Sequence, residues 1–335
     1  MEFGFNDEQR EIQSTAREFL ASRFKPEKVR ELAESDSPYD DAIWVEMCEL
    51  GWPGIAIAEE YGGLGLGAVE LVILLEQMGY ALAPAPLIAN AFAGALISQA
   101  GSDEQKQRWL PGIASGEARG AAAFTPGDEP LAGAAGGAAV LVLNELGGGT
   151  GGRIVEAEAA ELDRVPLIDT TRAYFRVRAE GGDPLPGDAA PARDAGSVAL
   201  AAETVGLAQR SLDIAVAYAK EREQFGRPIG AYQAVSHRLA DMLWEVEEAR
   251  SLTYYAAWCA DAQPESLPLA ASMAKARASD AANSVVHNAI QTLGGIGFTW
   301  EHDIHFFLKR ARVSSQLLGT SGQHRERVAA LAGLD

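Results

Sequence analysis

Cysteine and basic side chains are scarce in this chain. Of 335 residues only Cys48 and Cys259 are cysteine, and they stand far apart with no partner at a metal-ligand spacing. They form no disulfide framework or zinc motif, and their scarcity fits a reducing cytoplasm. The 28 basic against 47 acidic residues give a net charge of −19. This charge argues against nucleic acid or an anionic membrane as the main partner, because both require a basic face.

Signals for secretion or membrane insertion are also lacking. The start, MEFGFNDEQREIQ, is polar and acidic, without the basic and then apolar order of a signal peptide. The stretch between Gln77 and Ser102 carries no charge, but it contains two prolines and much Ala and Gly. A span needs about 20 strongly apolar residues, so this stretch predicts a buried helix instead. The 47% of hydrophobic residues suffice for a core divided among two or three domains.

The hydrophobic patterns predict a mainly α protein with a small β-domain in the middle. Helices are expected near 7–22, 27–35, 41–51, 68–80, 86–100 and 103–109, within an N-terminal helical domain over 1–118. Asn6 with Gln9, and Ser102 with Gln105, have the spacing of a capping box.

The amino-acid composition and the hydrophobic pattern change in the next region. Residues 119–193 are glycine-rich with the β-like runs AAVLVL, RVPLI and AYFRVRA, which predict a shortened β-domain; GGGTGG at 147–152 is typical of a turn or mobile loop. Apolar stripes at helical spacing then return and predict a C-terminal four-helix bundle over 194–335, with a third helix over about 266–293 and later ones beginning near His302 and Gly322.

Several tempting motifs fail on spacing. YGGLGLGAVE has Glu70 where a dinucleotide-binding loop needs its third glycine. EHDIH puts His302 and His305 on one helix face without further ligands, so no metal site is predicted. No G-x-S-x-G elbow supports a serine hydrolase.

The stretch YAKEREQFGRPIG carries the strongest chemistry. Gly226 and Pro228 end one long helix, which places Arg222, Gln224 and Phe225 at an end of the bundle. Arginine suits a phosphate, glutamine gives directional hydrogen bonds, and phenylalanine offers a surface for a flat ring. Taken alone, the stretch fits a nucleotide contact and an ordinary turn with a buried phenylalanine equally well.

Two further segments favour the nucleotide. In QTLGGIGF, Gly294 and Gly295 let a ligand approach the backbone, and Gln291 lies one turn earlier. In LLGTSGQ, Gly319 and Thr320 precede the last helix, where free N–H groups and a hydroxyl suit a polar ring edge or an anion.

These stretches, in this order and at these separations, resemble the acyl-CoA dehydrogenase family. The similarity covers about 195–330 almost continuously, through AAETVGLAQRSLDIAVAYAKEREQFGRPIGAYQAVSHRLADM, QTLGGIGF and the GT of LLGTSGQ. FNDEQREIQSTAREFL, LGWPGIAIAEEYGGLGLG and QKQRWLPGIASGE extend it to the N-terminal region.

The resemblance implies FAD, an acyl-CoA substrate and an oligomer of two or four subunits. Family members dehydrogenate an acyl thioester between the α and β carbons, as in fatty-acid β-oxidation, and pass electrons to an electron-transfer flavoprotein. It implies that Thr320 lies near the flavin ring. It also implies that the adenine and diphosphate half, in a neighbouring subunit's site, is contacted by Arg222, Gln224, Phe225, Ile229, Tyr232, Gln233, Gln291, Gly294 and Gly295.

The resemblance fails at the catalytic base. The family commonly carries a glutamate directly before the Gly-Thr pair, where this chain has Leu318; some members carry it instead at the position of Gly196. The nearest acids to the second position, Asp194 and Glu203, are the candidate bases that remain. The family's tryptophan strand is also missing, since no tryptophan lies between Trp109 and Trp244 and only Thr125 resembles the family's flavin-facing hydroxyl.

These departures leave several readings open. We expect a chain that works beside a different, related chain, since it keeps what reaches a neighbour's cofactor and lacks its own base. The alternatives are a homo-oligomeric dehydrogenase, a non-catalytic subunit that completes a partner's FAD site, and a flavin-free scaffold that binds CoA esters.

Overall fold

A computed structural model describes residues 4–123, 125, 130–144 and 151–334. Its mainly helical fold, with a small sheet region between two helical regions, confirms the expected class. The N-terminal region contains α1 (Asp7–Arg23), α2 (Pro26–Glu34), α3 (Asp41–Glu49), α4 (Ala68–Tyr80), α5 (Leu87–Ala100) and α6 (Asp103–Ser115).

Local signals set most of these helix ends. Asn6 with Gln9, and Ser102 with Gln105, form the predicted capping boxes at the starts of α1 and α6. Helix α6 continues past the predicted end at 109, through Pro111, to Ser115. Its last turns bury Leu110 and Ile113, and this packing offsets the backbone hydrogen bond that the proline removes.

The middle region folds into two small sheets. In the first, β1 (Gly120–Ala122) runs parallel to β3 (Val140–Asn144), and β4 (Gly152–Glu156) and β7 (Asp183–Pro184) extend it antiparallel. In the second, β6 (Tyr174–Arg178) lies between β2 (Leu131–Gly133) and β5 (Glu161–Val165). The run predicted over 164–168 enters a strand only at its start, because β5 ends at Val165, just before Pro166. The glycine-rich segment at 147–150 lies outside the described residues.

The C-terminal region is a bundle of long helices. Its members are α7 (Ala190–Glu221), α8 (Gln233–Ala262), α9 (Leu267–Leu293), α10 (Ile304–Ser314) and α11 (Ser321–Leu331). Helix α7 starts at Ala190, four residues before the predicted domain boundary at 194. A short hairpin, β8 (Glu223–Gln224) and β9 (Arg227–Pro228), connects α7 to α8. Among the described helices, none is both long and apolar enough to cross a membrane.

Candidate functional site

Nine of the ten predicted cofactor-binding residues lie at one end of the bundle. Helices α8 and α9 run antiparallel, because Arg277 donates to Glu248 at 2.6 Å while Ser284 donates to Glu245 at 3.1 Å. The start of α8 therefore meets the end of α9, and the hairpin after α7 lies at that same end. We call this end the hairpin end; it holds Arg222, Gln224, Phe225, Ile229, Tyr232, Gln233, Gln291, Gly294 and Gly295.

The hairpin presents Phe225 to solvent. Phe225 has a left-handed backbone (φ +53°) and a side chain that is 91% exposed. Internal hydrogen bonds hold this shape: the Ile229 N–H donates to the Arg222 carbonyl at 2.8 Å, and the Tyr232 hydroxyl donates to the Gln224 carbonyl at 3.0 Å. The expectation of a buried phenylalanine at an ordinary turn does not hold, because the ring points away from its own core.

The glycine pair beside the hairpin lies open. Gly294 has a φ of +66°, and a Cβ built on Gly294 or Gly295 meets no atom within 4 Å. Gln291 is exposed one turn earlier, and Phe298 and Trp300 are exposed just beyond the pair. The backbone there is accessible to a ligand or to another chain, and the surrounding surface is aromatic.

Thr320 lies far from the hairpin end. The backbone carbonyl of the preceding Gly319 accepts a hydrogen bond from Lys275 Nζ at 3.2 Å, and Lys275 is 18 residues before the end of α9. At 1.5 Å per residue that is about 27 Å along the helix. Thr320 caps α11, with its hydroxyl accepting from the Gln323 N–H at 3.3 Å and its own N–H donating to Gln323 Oε1 at 2.8 Å. The hydroxyl and the N–H of Thr320 are thus already engaged within the chain.

Two buried basic side chains, Lys275 and His324, hold the segment around Leu318 by hydrogen bonds. Lys275 also donates to Ser279 Oγ at 3.0 Å and to the Ser314 carbonyl at 3.2 Å, and burial lowers its pKa to about 8. His324 Nε2 lies 3.0 Å from the Leu318 carbonyl, and burial lowers its pKa as well. Leu318 itself has a left-handed φ of +56°. These contacts hold the segment in place, yet the side chain directly before Gly319 is the apolar Leu318.

The second position for a base is closed by an aromatic ring. Gly196 is buried in α7, and a Cβ built on it would lie 2.6 Å from the ring of Phe92 on α5. Phe92 is itself buried. A carboxylate-bearing side chain at 196 therefore has no room unless this ring moves.

Both candidate acids are buried and ion-paired. Asp194 forms a two-armed ion pair with Arg327 on α11, one arm being Nη2–Oδ2 at 2.9 Å. Glu203 forms a close ion pair with Arg172 and lies 3.5 Å from Arg310 Nη1. Each of these carboxylates is thus already engaged by an arginine. Their assignment as bases stays a prediction.

Glu203 belongs to a charged cluster that the sequence did not reveal. Arg310 is fully buried; its Nη2 donates to the Thr171 carbonyl at 3.0 Å, and its Nε lies 3.5 Å from Asp169. The cluster joins α7 and α10 to the segment before β6. The stretch IHFFLKRARV carries Lys309, Arg310 and Arg312 together, so no local signal singled out Arg310, and none marked Arg172.

The two histidines of EHDIH serve local packing. His302 Nδ1 accepts from the Ile304 N–H at 3.1 Å, and the His305 ring lies edge-on to Trp300 at 4.5 Å. Across the described ranges, no group of three or more His, Cys, Asp or Glu side chains could hold a metal ion. Thr125 Oγ accepts from the Leu131 N–H at 2.9 Å, so it supports β2.

Comparison with known proteins identifies both helical regions. The family model "Acyl-CoA dehydrogenase, N-terminal domain" matches residues 6–117, and "Acyl-CoA dehydrogenase, C-terminal domain" matches residues 194–332. The chain is 35% identical to acyl-CoA dehydrogenase IpdE2 of Mycobacterium tuberculosis over 93% of each chain, and 33% identical to its namesake in Mycolicibacterium smegmatis over 97% of this chain and 99% of the relative.

A solved structure agrees with these relatives. A variant of the Tcur3481-Tcur3483 steroid ACAD superposes with a TM-score of 0.88 at 30% identity, over 98% of both chains.

Proposed function

This chain belongs to the acyl-CoA dehydrogenase family, and we propose that it is one subunit of a two-chain, FAD-dependent acyl-CoA dehydrogenase. In this assembly it completes the cofactor site of a related partner, and the partner supplies the catalytic base. The contrast between the two ends of the bundle carries the proposal. The hairpin end projects ligand-binding chemistry outward, while both family positions for the base, Leu318 and Gly196, lack a carboxylate.

The residues of the hairpin end fit the adenine and diphosphate half of FAD. The exposed Arg222 guanidinium suits a diphosphate, and the exposed Phe225 ring suits a flat base. Gly294 and Gly295 leave space for a close approach to the backbone, and Gln291 offers an amide beside them. Bound FAD would supply the acceptor for the hydride that leaves the substrate's β carbon.

The proposed partner reaches this surface from outside the chain. Phe225 projects away from its own core, and Thr320, the expected flavin contact, lies about 27 Å away along α9. One copy of the chain therefore does not bring both halves of its predicted cofactor contacts to one ligand. A shared site between two subunits, with the hairpin end of one facing the flavin of the other, accounts for both positions.

The Phe92 ring against Gly196 supports the absence of a base in this chain. Proton abstraction beside a thioester needs a carboxylate free to accept the proton within hydrogen-bond reach of the α carbon. Asp194 and Glu203 are instead held by Arg327 and Arg172.

For the substrate, the steroid relative makes a steroid-derived acyl-CoA the first compound to test, with electron-transfer flavoprotein as the acceptor.

The experiment compares the chain alone with the chain co-expressed with a second dehydrogenase-like chain. Mass, bound flavin per chain and acyl-CoA-dependent reduction of a dye are measured for each. We expect stoichiometric flavin and turnover only in the co-expressed complex. The proposal fails if the chain alone holds one FAD per subunit and turns over acyl-CoA at ordinary enzyme rates, about 1–10³ per second. A protein that binds acyl-CoA without any flavin in either preparation would favour the scaffold instead.

A further inference from the structure

A cavity of about 410 Å³ opens between the N-terminal helices and the bundle. Its walls come from α1, the start of α2, the end of α4, the middle of α7 and the residues that lead into α10. Along α7, Arg210 lines it 14 residues after Gly196, a distance of about 21 Å. The Arg210 side of the cavity is thus far from Gly196, and the cavity volume lies within the range of small-molecule sites.

Two arginines mark the polar side of the cavity. The guanidinium carbons of Arg17 and Arg210 lie 5.6 and 5.3 Å from the centre of the Tyr80 ring. The Tyr80 hydroxyl donates to Asp213 at 2.9 Å, and Arg17 Nε donates to Gln77 at 3.2 Å. Within the described part of the chain, neither guanidinium forms an ion pair with a carboxylate. In a protein with a net charge of −19, two arginines that line one cavity without an ion pair favour an anionic ligand.

The opposite side of the cavity is apolar. Leu20 and Phe24 of α1 line it with Val29 of α2, Leu82 and Phe307. An aliphatic chain or a ring system placed here would lose water contact, whereas a small inorganic anion would leave this wall unused. The arrangement therefore fits a molecule with an anionic head and an apolar body.

Acidic residues at the rim do not neutralise the positive charge of the two arginines. Asp303 lines the cavity but pairs with Arg30, and Glu301 is exposed. Burial lowers the pKa of His302, and its Nδ1 accepts from the Ile304 N–H, so both observations favour the uncharged ring. The positive charge of the cavity comes from Arg17 and Arg210, with Lys25 at its edge.

We propose that this cavity, which we call the Tyr80 cavity, binds a small amphiphile. Its carboxylate or phosphate contacts Arg17 and Arg210, and its apolar body packs on the apolar wall described above, which includes Leu20 and Phe307. The inference does not depend on the proposed function, since it uses no residue of the hairpin end. The two head groups are the shared chemistry, and the experiment separates them.

The test is isothermal titration calorimetry of the assembled protein with dodecanoate, dodecyl phosphate and uncharged dodecan-1-ol. Each probe is used below its critical micelle concentration or solubility limit. We expect one anionic probe to bind at least tenfold more tightly than the alcohol. Arg17→Ala and Arg210→Ala should each weaken that probe by about tenfold to a hundredfold, since a charge-assisted hydrogen bond is lost. Ala21→Trp, which leaves both charges in place, should block all three probes by filling the cavity.

Arg10→Ala is the matched control, because Arg10 lies on the exposed face of the same helix and pairs with Asp7. It should leave the affinity unchanged, and circular dichroism verifies that every variant is folded. The proposal is overturned if no anionic probe binds, if both cavity arginine variants bind like the parent, or if Arg10→Ala weakens binding equally. Displacement of the probe by FAD would also overturn it, because the cavity would then belong to the cofactor site.

Discussion

Replacing Glu203 with glutamine distinguishes a catalytic carboxylate from a structural one. The substitution keeps the shape of the side chain and removes its charge. If Glu203 is a base, Glu203→Gln abolishes turnover and leaves the free energy of unfolding almost unchanged. If its role is to neutralise buried arginines, the variant loses stability whatever happens to turnover. The structure favours the second outcome.

The magnitude follows from the partners of Glu203. Arg310 keeps its contacts to Asp169 and to the Thr171 carbonyl when the charge is removed. Among the described residues, the hydrogen bonds that remain to Arg172 are long ones of 3.5 Å, to the Tyr174 hydroxyl and to Ser314 Oγ. Removing one partner of a buried ion pair costs about 3–5 kcal/mol. Because the amide still accepts a hydrogen bond, we expect a loss near the lower value, about 3 kcal/mol.

Urea unfolding followed by circular dichroism measures this loss, with dye reduction by the assembled enzyme in parallel. Glu247→Gln is the control, since Glu247 is exposed and its partner Arg250 keeps its ion pair with Glu76 at 2.9 Å, so we expect a loss of at most about 1 kcal/mol. Adding Arg172→Gln to Glu203→Gln should recover stability, with a coupling of at least about 1 kcal/mol. A Glu203→Gln protein that is as stable as the parent but inactive would refute this reasoning.

Three further predictions concern flavin retention, pH and packing. Arg222→Ala should weaken FAD retention by the assembled protein by about tenfold or more after dialysis. Lys220→Ala, at the same end of α7, is the control. Equal flavin content in the two variants would count against FAD binding at the hairpin end. Burial lowers the pKa of Lys275 to about 8, so the folded state binds fewer protons than the unfolded state above that pH. Between about pH 8 and about pH 10.5 the free energy of unfolding of the parent should therefore rise by about 3 kcal/mol relative to that of Lys275→Met; a difference between the two proteins that stays constant over this range in urea unfolding would exclude it. Gly196→Ala should destabilise through contact with Phe92, by about 1–3 kcal/mol, and a gain near the helix-propensity value of about 1 kcal/mol would contradict the crowding.

Local signals predicted the helices and the break between α7 and α8 well. Capping boxes, glycines and helical stripes are encoded within a few residues, so Asn6 and Ser102 mark helix starts in the sequence as they do in the structure. Arg222 and Phe225 were singled out as candidates because side chains suited to a ligand and a helix break lie in one short stretch. The bundle then explains why Gln291, distant in sequence, reaches the same end.

Contacts between distant segments could not be predicted in this way. The pairing of Arg172 with Glu203 joins residues 31 positions apart, and nothing near either one indicates the other. The same holds for Phe92 against Gly196, where a glycine in a helix gave no hint of an aromatic ring above it. Helix α6 shows the related limit, since the local signal of Pro111 predicted an end that tertiary packing overrides.

The two ends of the bundle are structurally independent, and this independence explains how a chain could lack a base and still serve a cofactor. The hairpin keeps its shape through its own hydrogen bonds, from Ile229 to Arg222 and from Tyr232 to Gln224. None of these bonds involves the segment around Leu318, about 27 Å away along α9. A leucine in place of the family's glutamate therefore leaves the outward surface intact. The proposed lack of a base in this chain and its proposed contact with a neighbour's cofactor are therefore compatible, because they concern different residues.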